Sequence, residues 1–260
     1  MRFISYLSPW LPAEFFRVLL RGWERHLEEP CELMLEERFS GPTRAQVAAG
    51  EDPLSSGQAE AGIICAPTYL WARRHNPPRV QLAGWVPVFQ DLHRPVYHSL
   101  VLVPQDSPAQ ALSDLREAKW SFNDPCSLSG YHSVLASLGG DTSRLQARAV
   151  YSGGHEQSLA LLASGHAEAC AVDANGWFMR RKGAQHDKLR VVAELGPFPA
   201  QPIVFSAAVG QERLQALATA LESTVQDSRL LKKLQEEFGL VRFVASDEEL
   251  LRDLSRVLES

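Results

Sequence analysis

Three short stretches combine hydroxyls, glycines and an ionisable group in patterns suited to holding a small anion. The first, NDPCSLSGYHSVL (123–135), puts Ser127, Ser129 and Gly130 where an apolar helix begins. N–H groups at a helix start lack intrahelical partners and feel the positive end of the dipole, so with two hydroxyls they form an anion cradle. Gly130 would let a ligand approach the backbone closely, and Tyr131 completes the candidate loop. The same serines serve equally as ordinary helix caps. The second stretch, YSGGHEQSL (151–159), repeats the plan: a strand, two glycines, then a helix starting near His155. The dipole disfavours a cationic histidine there unless an anion is bound too, and the ring could donate one N–H to a ligand oxygen. A solvent-exposed or backbone-bonded histidine is the competing use. The third, ACAVDANGW (169–177), ends an apolar strand on Asp173, placed either to accept from a ligand amine or hydroxyl or to cap the next helix.

Aromatic and hydroxyl side chains near other strand ends extend the set. Tyr69 in APTYLW and Tyr97 in VYHSLVL suit ligand walls, though both also read as core tyrosines. Trp10 in LSPWLP and Ser40 in RFSGP follow strands and are candidates for the opposite wall. Ser129, His155 and Asp173 can be imagined as a catalytic triad, but no G-x-S-x-G nucleophile elbow carries the serine. A phosphate loop, a G-x-G-x-x-G turn and an H-E-x-x-H helix are all missing, and the histidines are scattered. The expectation is a binding site with no catalytic residue, no metal and no cofactor.

These residues need strands and helices to aim them, and the pattern supplies an α/β alternation. FISYL reads as a first strand, and a helix opens at Pro12 with Phe15, Phe16, Leu19, Leu20, Trp23 and Leu27 at helical spacing. CELMLEE, AEAGIICAP, VQLAGWVPVF and YHSLVLVP read as strands, and TYLWARR as a helix. From about residue 104 the pattern starts afresh: SPAQALSDL predicts a helix, KWSFND a strand, SLSGYHSVLASLG a helix and ARAVYSGG a strand. HEQSLALLASG then predicts a helix, AEACAVD and KLRVVAELG predict strands, and PFPAQP a proline-rich connection before a helical tail. Two α/β lobes result: 1–95 with 200–260, and an inserted 96–199, joined by hinge connectors near 93–103 and 194–204. A cleft between lobes is where ligand sites concentrate.

Composition bounds the partners. With 45% apolar and 22% charged residues the chain is that of a globular protein, and a net charge of −5 disfavours nucleic acid and anionic membrane. The clusters Arg73-Arg74 and Arg180-Arg181-Lys182 read as solvated faces. Cys31, Cys65, Cys126 and Cys170 form no metal or redox spacing, and Cys65 and Cys170 lie in apolar runs as free thiols do. No apolar run reaches the ~18 residues of a membrane span, so no membrane insertion is expected. The start MRFISYLSPWLP shows no secretory signal. As written, the sequence predicts a cytoplasmic protein, or a periplasmic or cell-surface one from which a leader has been removed.

Several motifs, taken in order, resemble those of the phosphonate-type substrate-binding proteins of ABC transporters. They are YHSLVLV in the connector, NDPCSLSGY, SGGHEQSLALLASGHAEACAVD and GPFPAQP. The resemblance implies a type II periplasmic-binding-protein fold that closes two hinged lobes on a small oxyanion such as a phosphonate, phosphite or phosphate, with an ABC permease as possible partner. It also implies that Ser127, Ser129 and the Gly130 amide form the anion loop and that His155 touches the same group. Tyr69 and Tyr97 would be the aromatic wall, and Asp173 the acidic strand-end residue. The family's loop often reads S-T-S, and Leu128 stands here in its middle, one hydroxyl fewer. The same fold also includes cytosolic enzymes of menaquinone and thiamine-pyrimidine biosynthesis, so an enzyme or a ligand sensor is the alternative.

Overall fold

Short apolar strands alternating with amphipathic helices close into two separate five-stranded sheets. The computed structural model describes residues 1–36, 40–89, 94–139, 142–179, 186–246 and 248–258. The chain starts with β1 (Arg2–Ser5), α1 (Ala13–Leu27), β2 (Glu32–Leu35), α2 (Arg44–Ala49), β3 (Ala61–Ile63) and α3 (Ala66–Arg74). It continues through β4 (Val80–Leu82), β5 (Trp85–Val88), β6 (Val96–Pro104) and β7 (Trp120–Phe122). A π-helical turn (Leu128–His132) then runs into α4 (Ser133–Leu138), followed by α5 (Ser143–Arg148), β8 (Val150–Tyr151), α6 (His155–Ala163) and β9 (Ala169–Asp173). The remainder is α7 (Ala174–Met179), β10 (Leu189–Pro199), β11 (Ile203–Ser206), α8 (Gln211–Gln226), α9 (Ser228–Phe238), β12 (Arg242–Ala245), α10 (Glu248–Asp253) and α11 (Ser255–Leu258).

The first sheet has the order β2-β1-β3-β11-β4, and the second β10-β6-β9-β7-β8. All strands of the second come from residues 96–199, and those of the first from either side of that stretch. The first sheet is held by α1, whose apolar face buries Phe15, Phe16, Leu19, Leu20 and Trp23 against Phe3, Ile63 and Phe205 of the sheet and Leu217 and Leu221 of α8. Each such side chain contributes on the order of 2 kcal/mol of transfer free energy. In the second sheet β9 is buried along its whole length, which explains the small and apolar residues that precede Asp173 at its end.

The structure departs from the sequence expectations in four places. VQLAGWVPVF is two strands, because Gly84 turns the chain at φ +91°; β4 joins the first sheet while β5 pairs with β12. That β12 partner lies in the tail expected to be wholly helical. SPAQALSDL forms only a 3₁₀ turn, Leu112–Leu115. The proline-rich connection is largely strand, since β10 runs antiparallel to β6 as far as the pairs Phe198–Tyr97 and Pro199–Val96. All four cysteines are free thiols, and Arg74 donates to Ser255 Oγ. The basic cluster 180–182 and connector residue 93 lie outside the described residues.

Candidate functional site

The parallel register of the second sheet aligns its polar strand ends. Trp120 and Ser121 of β7 stand level with Ala169 and Cys170 of β9, so the two strands run the same way, toward Asp124 after β7 and Asp173 at the end of β9. On the other flank Ser121 and Phe122 pair with Val150 and Tyr151 of β8, whose exit holds Gly153 and Gly154. These three exits and the loop after β1 enclose a cavity of about 40 Å³. From the first sheet's side it is lined by Tyr6, Trp10, Ser40 and Cys65. From the second it is lined by Asn123, Asp124, Ser127, Ser129, His155 and Asp173, with Gln201 at the crossing back.

Ser127 caps the π turn: its Oγ accepts from the Gly130 amide at 3.0 Å, leaving the hydroxyl hydrogen able to donate. His132 N–H reaches back five residues to the Ser127 carbonyl at 3.1 Å, the wide spacing of a π turn, a form frequent at functional sites. Ser129 Oγ lies 3.5 Å from His155 Nε2, while its carbonyl is pinned by the Ser99 and Ser133 hydroxyls at 2.7 and 2.8 Å. α6 starts at His155 with no side-chain cap, so its dipole end is directed at the cavity that His155, Glu156 and Gln157 line. The Trp10 ring packs on the His155 ring, centroids 4.8 Å apart, and its indole N–H donates to the Asp173 carbonyl at 3.1 Å.

Two buried carboxylates face the same space. The Asp124 carboxylate accepts from Cys126 N, Ser40 N, Ser40 Oγ and Asn123 Nδ2 at 2.7, 3.2, 2.8 and 2.9 Å, and the Ser127 amide donates to the Asp124 main-chain carbonyl at 3.3 Å. Burial outweighs these bonds and pushes its carboxyl up to about 6. Asp173 accepts from Asn175 N at 2.7 Å, Gln201 Nε2 at 2.6 Å and the Gly176 amide, and burial pushes it up to about 7. No lysine or arginine is among the described residues lining the cavity. The Ser129–His155–Asp173 grouping does not form a relay, because the Asp173 oxygens go to Asn175, Gly176 and Gln201.

Six of the ten residues singled out in the sequence meet at the cavity: Trp10, Ser40, Ser127, Ser129, His155 and Asp173. Gly130 does not line it. A Cβ there would fall 1.8 Å from Asn123 Oδ1 and 3.1 Å from His155 Cε1, so this glycine makes room for those side chains rather than for a ligand. Tyr131 packs its ring edge-on against Phe122 outside the cavity. Tyr69 is buried in the core on α3. Tyr97, 1% exposed, packs behind the site with its hydroxyl next to Ser129 and Cys65, and burial raises that hydroxyl's pKa strongly. Asn123, Asp124, Cys65 and Gln201 escaped the sequence reading. The polar end of KWSFND, level with AVD, was the one available signal for Asn123 and Asp124.

No helix among the described residues is long and apolar enough to cross a membrane. No curated protein sequence matches the chain. Solved structures give the fold. A binding-protein component of an ABC phosphonate transporter from Pseudomonas aeruginosa superposes with a TM-score of 0.79 at 16% identity, over 99% of this chain and 85% of that one. PhnD1 from Prochlorococcus marinus, in complex with methylphosphonate, gives 0.77 at 14% identity over 100% and 97%. A Xanthomonas citri protein, XAC2383, bound to ATP, gives 0.73 at 17% identity over 100% and 96%. The architecture is the two-lobed type II periplasmic-binding-protein fold. A family model described as ABC transporter, phosphonate, periplasmic substrate-binding protein matches residues 25–251, and the chain belongs to that family.

Proposed function

We propose that the protein captures a small oxyanion-bearing solute in this cavity and presents it, enclosed, to an ABC permease at the outer face of the membrane. One observation carries the reading: two turn-to-helix starts, at Ser127 and His155, converge on one small cavity under Trp10 and Ser40 from the other side. Ser127 and Ser129 supply hydroxyl donors, and His155 and the first turn of α6 supply N–H groups and the positive dipole end. The lobes of this reading are 1–95 with 200–260, and 96–199, moving about connectors near 93–103 and 194–204. The strand membership of the two sheets supports that division. Closure brings Ser40 onto Asp124, Trp10 onto Asp173 and the Leu128 amide to 3.3 Å from Cys65 Sγ. Excluding water in this way strengthens every bond to the anion.

A thermal-shift and calorimetric panel of methylphosphonate, phosphite, phosphate, sulfonates and carboxylates tests the reading. At least one oxyanion raises the melting temperature of the wild type, and Ser129→Ala and His155→Ala each abolish the shift. Variants that respond like the wild type would put the anion elsewhere. Recovery of the ligand chemically unchanged separates a binder from an enzyme.

A further inference from the structure

We propose that Trp10 is the latch of the closed form: carried by the first lobe, its indole seats in the core of the second and there positions the His155 ring beside the Ser127–Ser129 turn. The proposal rests on the two-lobed reading above and adds to it the residue that couples closure to the site. Trp10 lies in the short link between β1 and α1, yet it is only 6% exposed and shares one hydrophobic cluster with Leu102, Leu159, Cys170, Val172 and Trp177. Every other described member of that cluster lies between residues 96 and 199. The next residue, Leu11, is buried with Phe15 and Phe16 in the core of the first sheet, and its N–H is tied back to the Leu7 carbonyl at 2.8 Å. Adjacent side chains thus enter two different cores. Consecutive Cα atoms are only about 3.8 Å apart, so the link has no slack to let the lobes part while the indole stays seated.

Gly176 makes the seat. A Cβ there would fall 2.2 Å from the indole Nε1 and 2.4 Å from Cε2, far inside van der Waals contact. α7 runs from Ala174 to Met179, so Gly176 stands inside a helix, where alanine is the better residue. Local propensity argues against a glycine here, and the indole accounts for it. Two further contacts orient the ring. Its N–H donates to the Asp173 carbonyl at 3.1 Å, and its face packs on the His155 ring with centroids 4.8 Å apart. His155 Nε2 in turn lies 3.5 Å from Ser129 Oγ. Withdrawing Trp10 therefore takes away the packing that holds the imidazole toward the turn.

The Ser40–Asp124 hydrogen bonds also cross the cleft, but water replaces them once the lobes part. A large aromatic ring finds no such substitute in water. Its seat therefore favours the closed form, and a variant that cannot seat it shifts the population toward the open one. Apparent affinity then falls in proportion to the fraction that remains competent to bind.

Small-angle X-ray scattering of the ligand-free protein, with calorimetry on methylphosphonate and inorganic phosphate, tests the latch. Trp10→Ala and Gly176→Ala should each enlarge the radius of gyration and weaken binding about 10-fold or more. Trp10→Phe keeps a flat ring against His155 without the N–H, and its affinity should stay within about 5-fold of the wild type. In the Trp10→Ala background Gly176→Ala should add nothing, since the atoms it would meet are gone. Scattering of Gly176→Ala that matches the wild type overturns the proposal. An effect of Gly176→Ala undiminished in the Trp10→Ala background also overturns it, as does a Trp10→Phe variant that binds as weakly as Trp10→Ala. Silence of the wild type toward both anions counts against the oxyanion reading, while the scattering comparison still decides whether Trp10 holds the lobes together. If Gly176→Ala does not fold, Trp10→Ala carries the test, and scattering that matches the wild type overturns the proposal.

Discussion

Asp124 follows the end of β7 and Asp173 closes the neighbouring parallel strand β9, both almost wholly buried, yet their hydrogen-bond partners differ. The Asp124 carboxylate accepts from four donors, two of them from Ser40 across the cleft, and it ties one lobe to the other. Asp173 takes its donors from its own helix start and from Gln201, and it borders the cavity. Burial of a carboxylate is thus a poor guide to ligand contact. What distinguishes one buried carboxylate from another is which elements its donors come from.

The largest effect that probes this pair is the pH dependence of stability. Each carboxyl holds its proton more tightly folded than unfolded, so its stabilising contribution is complete below about pH 4 and is lost as pH rises through the folded value. For Asp173 the loss runs to about pH 7 and for Asp124 to about pH 6. At about 1.4 kcal/mol per pH unit, the Asp173 contribution is on the order of 4 kcal/mol. His132, which burial holds down to about 4, acts with the opposite sign up to its usual value near 6.5, so the clean window lies just above that. Denaturant titrations of the ligand-free protein should show stability falling between pH 6.5 and 7.5, and Asp173→Asn should flatten that fall. An unchanged slope in the variant would remove Asp173 from the comparison.

Alanine at each position separates the two roles next. Asp124→Ala strands the Cys126 and Ser40 amides in a buried setting, and the expected cost is about 3 kcal/mol. Asp173 borders the cavity, where water can replace the carboxylate in Asp173→Ala, so the expected cost is about 1 kcal/mol. Urea unfolding at pH 7 measures both. Equal costs would mean that the two carboxylates are fastened alike.

The fold and much of the cavity were legible because the relevant signals are local. A strand, a glycine or serine turn and a helix start are consecutive in sequence at Ser127–Ser129 and at His155, and Asp173 closes an apolar run that could only be a buried strand. Trp10 and Ser40 followed from the same rule applied to the other sheet. The tyrosines did not follow, because neither propensity nor periodicity says which face of β6 or α3 turns to the cleft, and Tyr69 and Tyr97 turned to the core. Gln201 was illegible for a different reason: it reaches Asp173 only through the pairing of β10 with β6 and the return to the first sheet. The reason for Gly130 was equally non-local, since the side chain that would clash with a Cβ belongs to Asn123 of the preceding turn.

Gly130→Ala carries that last point into the comparison at a somewhat smaller expected cost. The added methyl would displace the Asn123 side chain, whose Nδ2 bonds Asp124 Oδ2 at 2.9 Å, so the damage falls on the Asp124 side of the site. Overpacking of this kind costs about 2 kcal/mol. Chemical denaturation of Gly130→Ala beside Asn123→Ala/Gly130→Ala tests the cause, because removing the Asn123 side chain should relieve most of the added cost. No relief would place the strain at His155, the other atom within reach.

Ser40→Ala is the smallest change and the sharpest on sign. It removes one of the four donors to the Asp124 carboxylate and leaves the Ser40 amide in place. A hydrogen bond to an ionised carboxylate contributes more than one to a neutral carboxyl, so the cost depends on the charge of Asp124. Above about pH 6 the carboxylate is ionised and the variant should lose about 1–2 kcal/mol; near pH 4.5, with the carboxyl protonated, the loss should fall to about half of that. The Ser40 hydroxyl also favours the ionised form, so its removal should move the Asp124 titration upward and carry the pH-dependent loss of stability with it. A cost that is the same at both pH values would mean that this hydroxyl does not bond an ionised Asp124. The fastening role would then rest on the backbone amides alone, and Asp124 would differ from Asp173 in donor count but not in its tie across the cleft.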